Sequence, residues 1–351
     1  MPSVSTNVAR TARSFRFDRA SRCSARFLPF SAGTTRADVA IAPDYQPYVA
    51  GPFRWRLALR PLDLSDWIQI GDDYDHEMDA KSVVLSEHHD TVVAVIDGIE
   101  DEAAEILRHL CDHLCATWPT WFVREGNEIV NRRRNERWPI APSADGSWAL
   151  HPLDIAGRLV QEDMALLVKR DGGPIFGGGT VCFPNRWNLS SKLGLTMAEV
   201  HAPVDRLNEQ LREPIDSFFE RLSVDKPFWR LGWGVLDTDD PYQPMDGTAS
   251  EPPPLPVVGD PTAGDRLFLR VERETLRRFP ETECVLFTIR TYIRPLSHLV
   301  ERPEDARRLA EALSQLPDDV RDYKRTTELT AAAVHWLSEV SGNQAHSPGG
   351  R

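Results

Sequence analysis

The order of the chain's segments constrains its fold more than anything in its composition. Strand-like and helix-like stretches alternate irregularly from Tyr45 onward and never settle into repeated strand–helix–strand units. Short β-branched or aromatic runs read as strands: TVVAVI (91–96), PIFGGGTVCFP (174–184), PFWRLGWGVL (227–236), RLFLRVERETL (266–276) and ECVLFTIRTYIRPL (283–296). Residues 101–118 carry Ile106, Leu107, Leu110, Cys111 and Leu114 on one side, which predicts an amphipathic helix. A helix entered at Asp63 or Ser65, one over 151–173 closed by a glycine pair, and one over 205–222 kinked at Pro214 are also expected. Helices near 303–314 and 326–340 complete the pattern. Mixed order without regular βαβ repetition points to the α+β class, with a mixed or antiparallel sheet and flanking helices.

Four regions follow from the same reading. Residues 1–44 are arginine- and serine-rich, unlike the acidic remainder, and read as a disordered extension. Residues 45–325 form the expected folded body, interrupted by a proline-rich acidic loop at 237–265. Residues 326–351 hold a C-terminal helix and a disordered tail. A formal net charge of −12 argues against binding nucleic acid or an anionic membrane surface. No apolar run reaches the roughly 18 residues of a spanning helix. The five cysteines include no CxxC pair, so reduced thiols and a cytoplasmic location are expected.

Several residues invite a functional reading and a bland one together. His109 and His113 sit four apart on a helix, a chelating spacing, but beside Glu102, Glu105 and Asp112 they equally make a solvated face. FGGGT (176–180) lacks the Lys and Ser/Thr of a phosphate loop, so close approach of another backbone or a flat ligand explains its glycines better. Asp163 falls in the apolar arc of the expected 151–173 helix and must have a partner. It is either ion-paired with an arginine or a carboxylate serving an imidazole or a cationic substrate. LRVERETLRRF embeds charges in both faces of a strand, as cross-strand ion pairs or as an anion clamp. His201 stands in an apolar joint before Pro203, either a core histidine or a ligand.

Several stretches together resemble the heme-binding subunit of heme-dependent oxidative N-demethylases, also called dimethylamine monooxygenases. They are PFRWRLALRPLDLSDWIQIGDDY, LDIAGRLVQEDMALL, VCFPNRWNLSSKLGLTMAEVHAPV, RVERETLRRFP and VLFTIRTYIRPL, which occur in the family's order across roughly residues 45–325. The resemblance implies a PAS-like α+β domain holding heme b, with His201 of the H-x-P-V stretch as axial ligand to the iron. Arg273, Arg277 and Lys192 become candidates for the propionates, while Asp163, Glu272 and Trp187 become candidates for holding an alkylammonium near the iron. Two departures stand out: Glu274 where the family pattern has glutamine, and Gly232 where it has asparagine.

The implied reaction oxidises a dimethylamine-like amine with O2 and releases formaldehyde. Its electrons come from a separate reductase subunit carrying FMN and a 2Fe-2S cluster, in a hetero-oligomer, since this sequence shows neither a dinucleotide fingerprint nor iron–sulfur cysteine spacing. Two rivals stay open: a heme-binding PAS module that senses gas or redox state without turnover, and a relative that has lost heme and acts as a scaffold. No kinase-like or DNA-binding segment follows residue 325, which favours the enzyme.

Overall fold

The structure, a computed structural model, describes residues 45–49, 51–171, 173–203, 206–323 and 326–343. The expected extension at 1–44 and the last eight positions of the tail lie outside them. Ten strands are described: β1 (Arg60–Pro61), β2 (Val93–Val95), β3 (Phe122–Glu125), β4 (Glu128–Asn131), β5 (Glu136–Pro139), β6 (Asp163–Arg170), β7 (Gly173–Thr180), β8 (Phe228–Leu236), β9 (Phe268–Arg278) and β10 (Val285–Pro295). Seven form one sheet in the order β1-β8-β9-β10-β6-β7-β2. Every pairing in it is antiparallel. The remaining three, β3-β4-β5, make a small meander. The chain is therefore α+β, with antiparallel sheets and flanking helices.

The large sheet is covered on both faces, and side-chain alternation decides what meets what. Met164, Leu166, Val168 and Leu286 pack against Trp67 and against Ile106, Leu107 and Leu110 of the helix Glu100–Thr117. Toward the other end of the sheet, Leu267, Leu269, Val271 and Tyr292 meet Leu309, Leu313, Trp336 and Leu337 of the C-terminal helices Pro303–Ser314 and Thr327–Asn343. Alternate residues Ala165, Leu167, Leu276 and Val285 turn the opposite way, toward Leu211, Ile215 and Phe219 of the helix Leu207–Arg221. That helix contains Pro214.

The segment expected as one helix over 151–173 is the main correction. Only Pro152–Gly157 is helical, and the chain then extends into β6, which pairs with β7. The glycine at 173 opens β7, with φ +102, rather than capping a helix. Asp63 does cap a turn, accepting from the Ser65 N–H at 2.9 Å, but the turn is a single 3-10 one, Leu64–Asp66. The long helix begins later, at Tyr74–Glu87. The glycines of β7 allow close backbone approach: a Cβ on Gly179 would lie 2.2 Å from the Met164 carbonyl oxygen, and one on Gly178 2.5 Å from that of Ala94.

Candidate functional site

Between the sheet and the helix Leu207–Arg221 lies a cavity of about 780 Å3. That is within the roughly 300–1,000 Å3 of small-molecule and cofactor pockets. Glu272, Glu274, Phe287 and Ile289 of the sheet line its floor, and Leu211, Ile215, Phe218 and Phe219 line the helix side. A third wall is the extended run 53–59, where Phe53, Trp55, Leu57 and Leu59 are half-buried while Arg54 and Arg56 are exposed. Phe176, Phe183 and Trp187 add aromatic edges.

His201 is in the wall. A short helical turn, Met197–Val200, aims it, and the sequence builds that turn with a capping box. Thr196 Oγ1 accepts from the Glu199 N–H, and Glu199 accepts from the Thr196 N–H. His201 closes the turn by donating its backbone N–H to the Met197 carbonyl, and Pro203 follows at once. The ring's Nδ1 is buried without a hydrogen-bond partner among the described residues. Burial, and next the positive charge of Arg230, push its pKa below the ordinary imidazole value, so the ring is held neutral. Lys192 also lines the cavity, donating to the Val200 carbonyl oxygen at 3.1 Å, and burial lowers its pKa.

The floor carries paired charge. Cross-strand register sets Arg230 opposite Glu274 and Gly232 opposite Glu272. Arg230 donates to Glu274, whose charge raises the guanidinium's pKa. Glu272 accepts from the buried Arg270 Nε at 2.8 Å. Arg270 is fixed in turn by the Phe183 carbonyl oxygen at 2.6 Å and by Thr291 Oγ1 at 3.2 Å. Two carboxylates thus face the cavity from one strand, and Gly232 leaves the space beside them clear.

The model of the family described as "Haem-dependent oxidative N-demethylase, alpha subunit-like" matches residues 58–334. The chain belongs to that family. The match spans the sheet, the cavity floor and His201, while most of the wall at 53–59 precedes it.

The residues present fit the cofactor that the family's description names. A neutral imidazole in a cavity wall has the chemistry of an iron ligand. The surrounding wall is largely apolar and aromatic, suited to a macrocycle, and Lys192, Arg54, Arg56 and the Glu274-paired Arg230 are among its cationic members. Among the residues singled out from sequence, the structure gathers His201, Lys192, Trp187 and Glu272 around this one cavity.

Three others stand elsewhere. Asp163 is buried behind the wall, where its carboxylate accepts the N–H groups of Cys182 at 3.0 Å and Phe183 at 2.7 Å. Its ion-pair partner is Lys81, at 3.4 Å, and not an arginine. Arg273 points to the opposite face of the sheet and donates to the carbonyl oxygens of Asp66 and Trp67. Arg277 shares that face and lies over the rings of Trp67 and Phe279, 4.3 and 4.9 Å from their centroids. Strand parity separates these arginines from the cavity: 272, 274 and 276 face it, whereas 273 and 277 do not. Arg230 and the wall at 53–59 were not singled out from sequence. The FRWRLAL alternation was the available signal for the wall, and nothing local marked Arg230.

Proposed function

We propose that this protein binds heme b in the cavity, where His201 would hold its iron, and that it oxidatively N-demethylates a small, dimethylamine-like amine. The observation that carries this reading is His201, a half-buried imidazole whose burial favours the neutral form, in the wall of a cavity large enough for a cofactor. Bound heme supplies the redox chemistry by which O2 and two electrons oxidise an N-methyl group. One oxygen atom leaves in formaldehyde and the other in water. The electrons come from a partner reductase subunit carrying FMN and a 2Fe-2S cluster, a role that fits the alpha-subunit description of the family.

The chain's own residues have distinct tasks in this reading. His201 donates a neutral imidazole nitrogen, kept neutral by burial and by Arg230. Lys192, one of the three residues expected to balance the propionates, keeps that part, and Arg230 takes the place of Arg273 and Arg277. Glu272 receives the alkylammonium, and the face of Trp187 adds a cation–π wall. Asp163 acts one layer back: by fixing the Phe183 N–H it positions an aromatic side chain of the cavity. The apolar walls exclude water from the amine.

The test is amine-dependent formaldehyde release with a supplied reductase. Glu272→Gln should raise the amine KM roughly 10-fold or more, because a hydrogen bond between charged groups contributes about 1.5–3 kcal/mol. Heme absorbance in that variant should stay as in the wild type. An unchanged KM would remove Glu272 from the amine seat.

A further inference from the structure

Glu274 has no task in the amine seat so far, although it faces the same cavity as Glu272. Each of these carboxylates is held at one oxygen by an arginine of the sheet. Glu272 Oε1 accepts from Arg270 Nε at 2.8 Å, and Glu274 Oε2 accepts from Arg230 Nε. Arg270 precedes Glu272 by two residues on β9, while Arg230 stands across on β8 in register with Glu274.

The other two oxygens converge beside Gly232. A Cβ at that glycine would lie 2.7 Å from Glu274 Oε1 and 3.4 Å from Glu272 Oε2. Gly232, Glu272 and Glu274 all line the cavity, so this spot is open to a ligand. Two carboxylate oxygens, each with an arginine fixed behind it, are therefore turned toward one point on the cavity floor. Ionised carboxylates are pure acceptors with lone pairs to spare beyond the one each gives its arginine.

Counting donors decides what such a pair can hold. A divalent cation is disfavoured, because Arg270 and Arg230 bracket the carboxylates. No third His, Cys or carboxylate group gathers with them among the described residues. An organic ammonium needs no further ligand. A secondary ammonium carries two N–H donors, one for each carboxylate, and a primary one carries three. A tertiary ammonium has a single N–H and sets an alkyl group against the second carboxylate. Removing water from a charged acceptor without supplying a donor is costly.

We propose that Glu274 is a specificity-determining residue, which with Glu272 forms a two-acceptor seat beside Gly232 for primary and secondary alkylammonium ions and discriminates against tertiary ones. The inference rests on the amine reading given above and adds the number of N–H donors that the substrate must carry. Glu272 alone would accept any protonated amine.

Isothermal titration calorimetry on the purified full-length protein, with hemin supplied, measures the affinities for dimethylammonium and trimethylammonium chloride. Both amines are protonated at neutral pH. Dimethylammonium is expected to bind roughly 10-fold or more tightly, the contribution of one hydrogen bond between charged groups. In Glu274→Gln the amide oxygen replaces the acceptor that Arg230 needs, which turns the amide N–H groups toward Gly232. The preference for dimethylammonium should then largely vanish. Selection by ligand size alone would persist in Glu274→Gln, and a general loss of packing would weaken both ions alike. Either way the ratio would match that of the wild type, and that result overturns the inference. Equal affinities in the wild type do so too, and they decide the matter if the variant does not fold. Binding is read here without turnover, so the two levels separate. No binding of either ion overturns the amine assignment itself, whereas dimethylammonium binding without selectivity overturns only the role of Glu274.

Discussion

Gly232 is the residue at which the cavity's selectivity is most exposed to change. A Cβ there would come within 2.7 Å of Glu274 Oε1 and 3.4 Å of Glu272 Oε2. Gly232→Ala should therefore push both carboxylates and raise the amine KM while heme binding is unaltered. Steady-state kinetics alongside a hemin titration check it, and a weakened heme with unchanged KM would count against the amine seat. Asp163 belongs to a different class of effect. Burial raises its pKa while Lys81 and two N–H groups favour the charged form, so Asp163→Asn leaves the buried Lys81 without its counter-charge. Breaking such a pair costs about 3–5 kcal/mol, which urea unfolding would register. An Asp163→Asn protein of wild-type stability but raised amine KM would place Asp163 in substrate binding instead. Neither Lys81 as partner nor the position behind the wall was legible in sequence, because the pair joins segments distant along the chain. What was legible is that an aspartate in an apolar stretch needs a partner, and it has one.

At the scale of elements, legibility followed the number of buried faces. The helix Glu100–Thr117 has one buried face, and its predicted stripe Ile106, Leu107, Leu110, Cys111 and Leu114 is buried throughout. β6 is buried on both faces, so DMALLV shows no alternation and reads as the continuation of the helix before it. The turn that aims His201 had a local signature in Thr196 and Glu199, a capping box that marks a helix start even in a four-residue turn. The helix over the cavity carries Pro214 on its exposed side. Pro214→Ala should stabilise the protein by about 1–3 kcal/mol, read as a raised urea midpoint, because it restores a helical donor. A lowered midpoint would mean that the proline's shape is needed where the helix meets the cavity. His151 caps the helix Pro152–Gly157 by accepting from the Leu153 N–H, and burial depresses its pKa to about 4 from 6.5. The unfolded chain therefore takes up a proton there first as pH falls. Its contribution to stability is complete above about pH 6.5 and declines toward pH 4. Urea midpoints at about pH 7 and about pH 5 should converge in His151→Asn, which keeps a capping acceptor and removes the titration. An unchanged pH dependence would place the proton uptake elsewhere.

On the scale of the whole molecule, one antiparallel sheet divides the protein into two chemical sides. The cavity side carries His201, Lys192, Arg230, the carboxylates of β9 and the core beneath the helix Leu207–Arg221, while the other side carries two larger hydrophobic cores, Arg273 and Arg277. A molecule of net charge −12 nevertheless lines its cavity with several cations, the pattern expected where an anionic group is to be held. No helix among the described residues is long and apolar enough to cross a membrane. Family membership and α+β class were both legible from the sequence. The composition of the cavity wall was not, because it draws on strands, a helix and an extended segment that only the sheet order brings together. The most direct measurement is an absorption titration of the purified wild-type and His201→Ala proteins with hemin, followed by dithionite and carbon monoxide. A Soret band in the wild type that shifts on reduction and again with carbon monoxide, and that is lost or grossly altered in His201→Ala, is the expected result. No band in the wild type, or identical spectra for the two proteins, would contradict ligation of heme by His201.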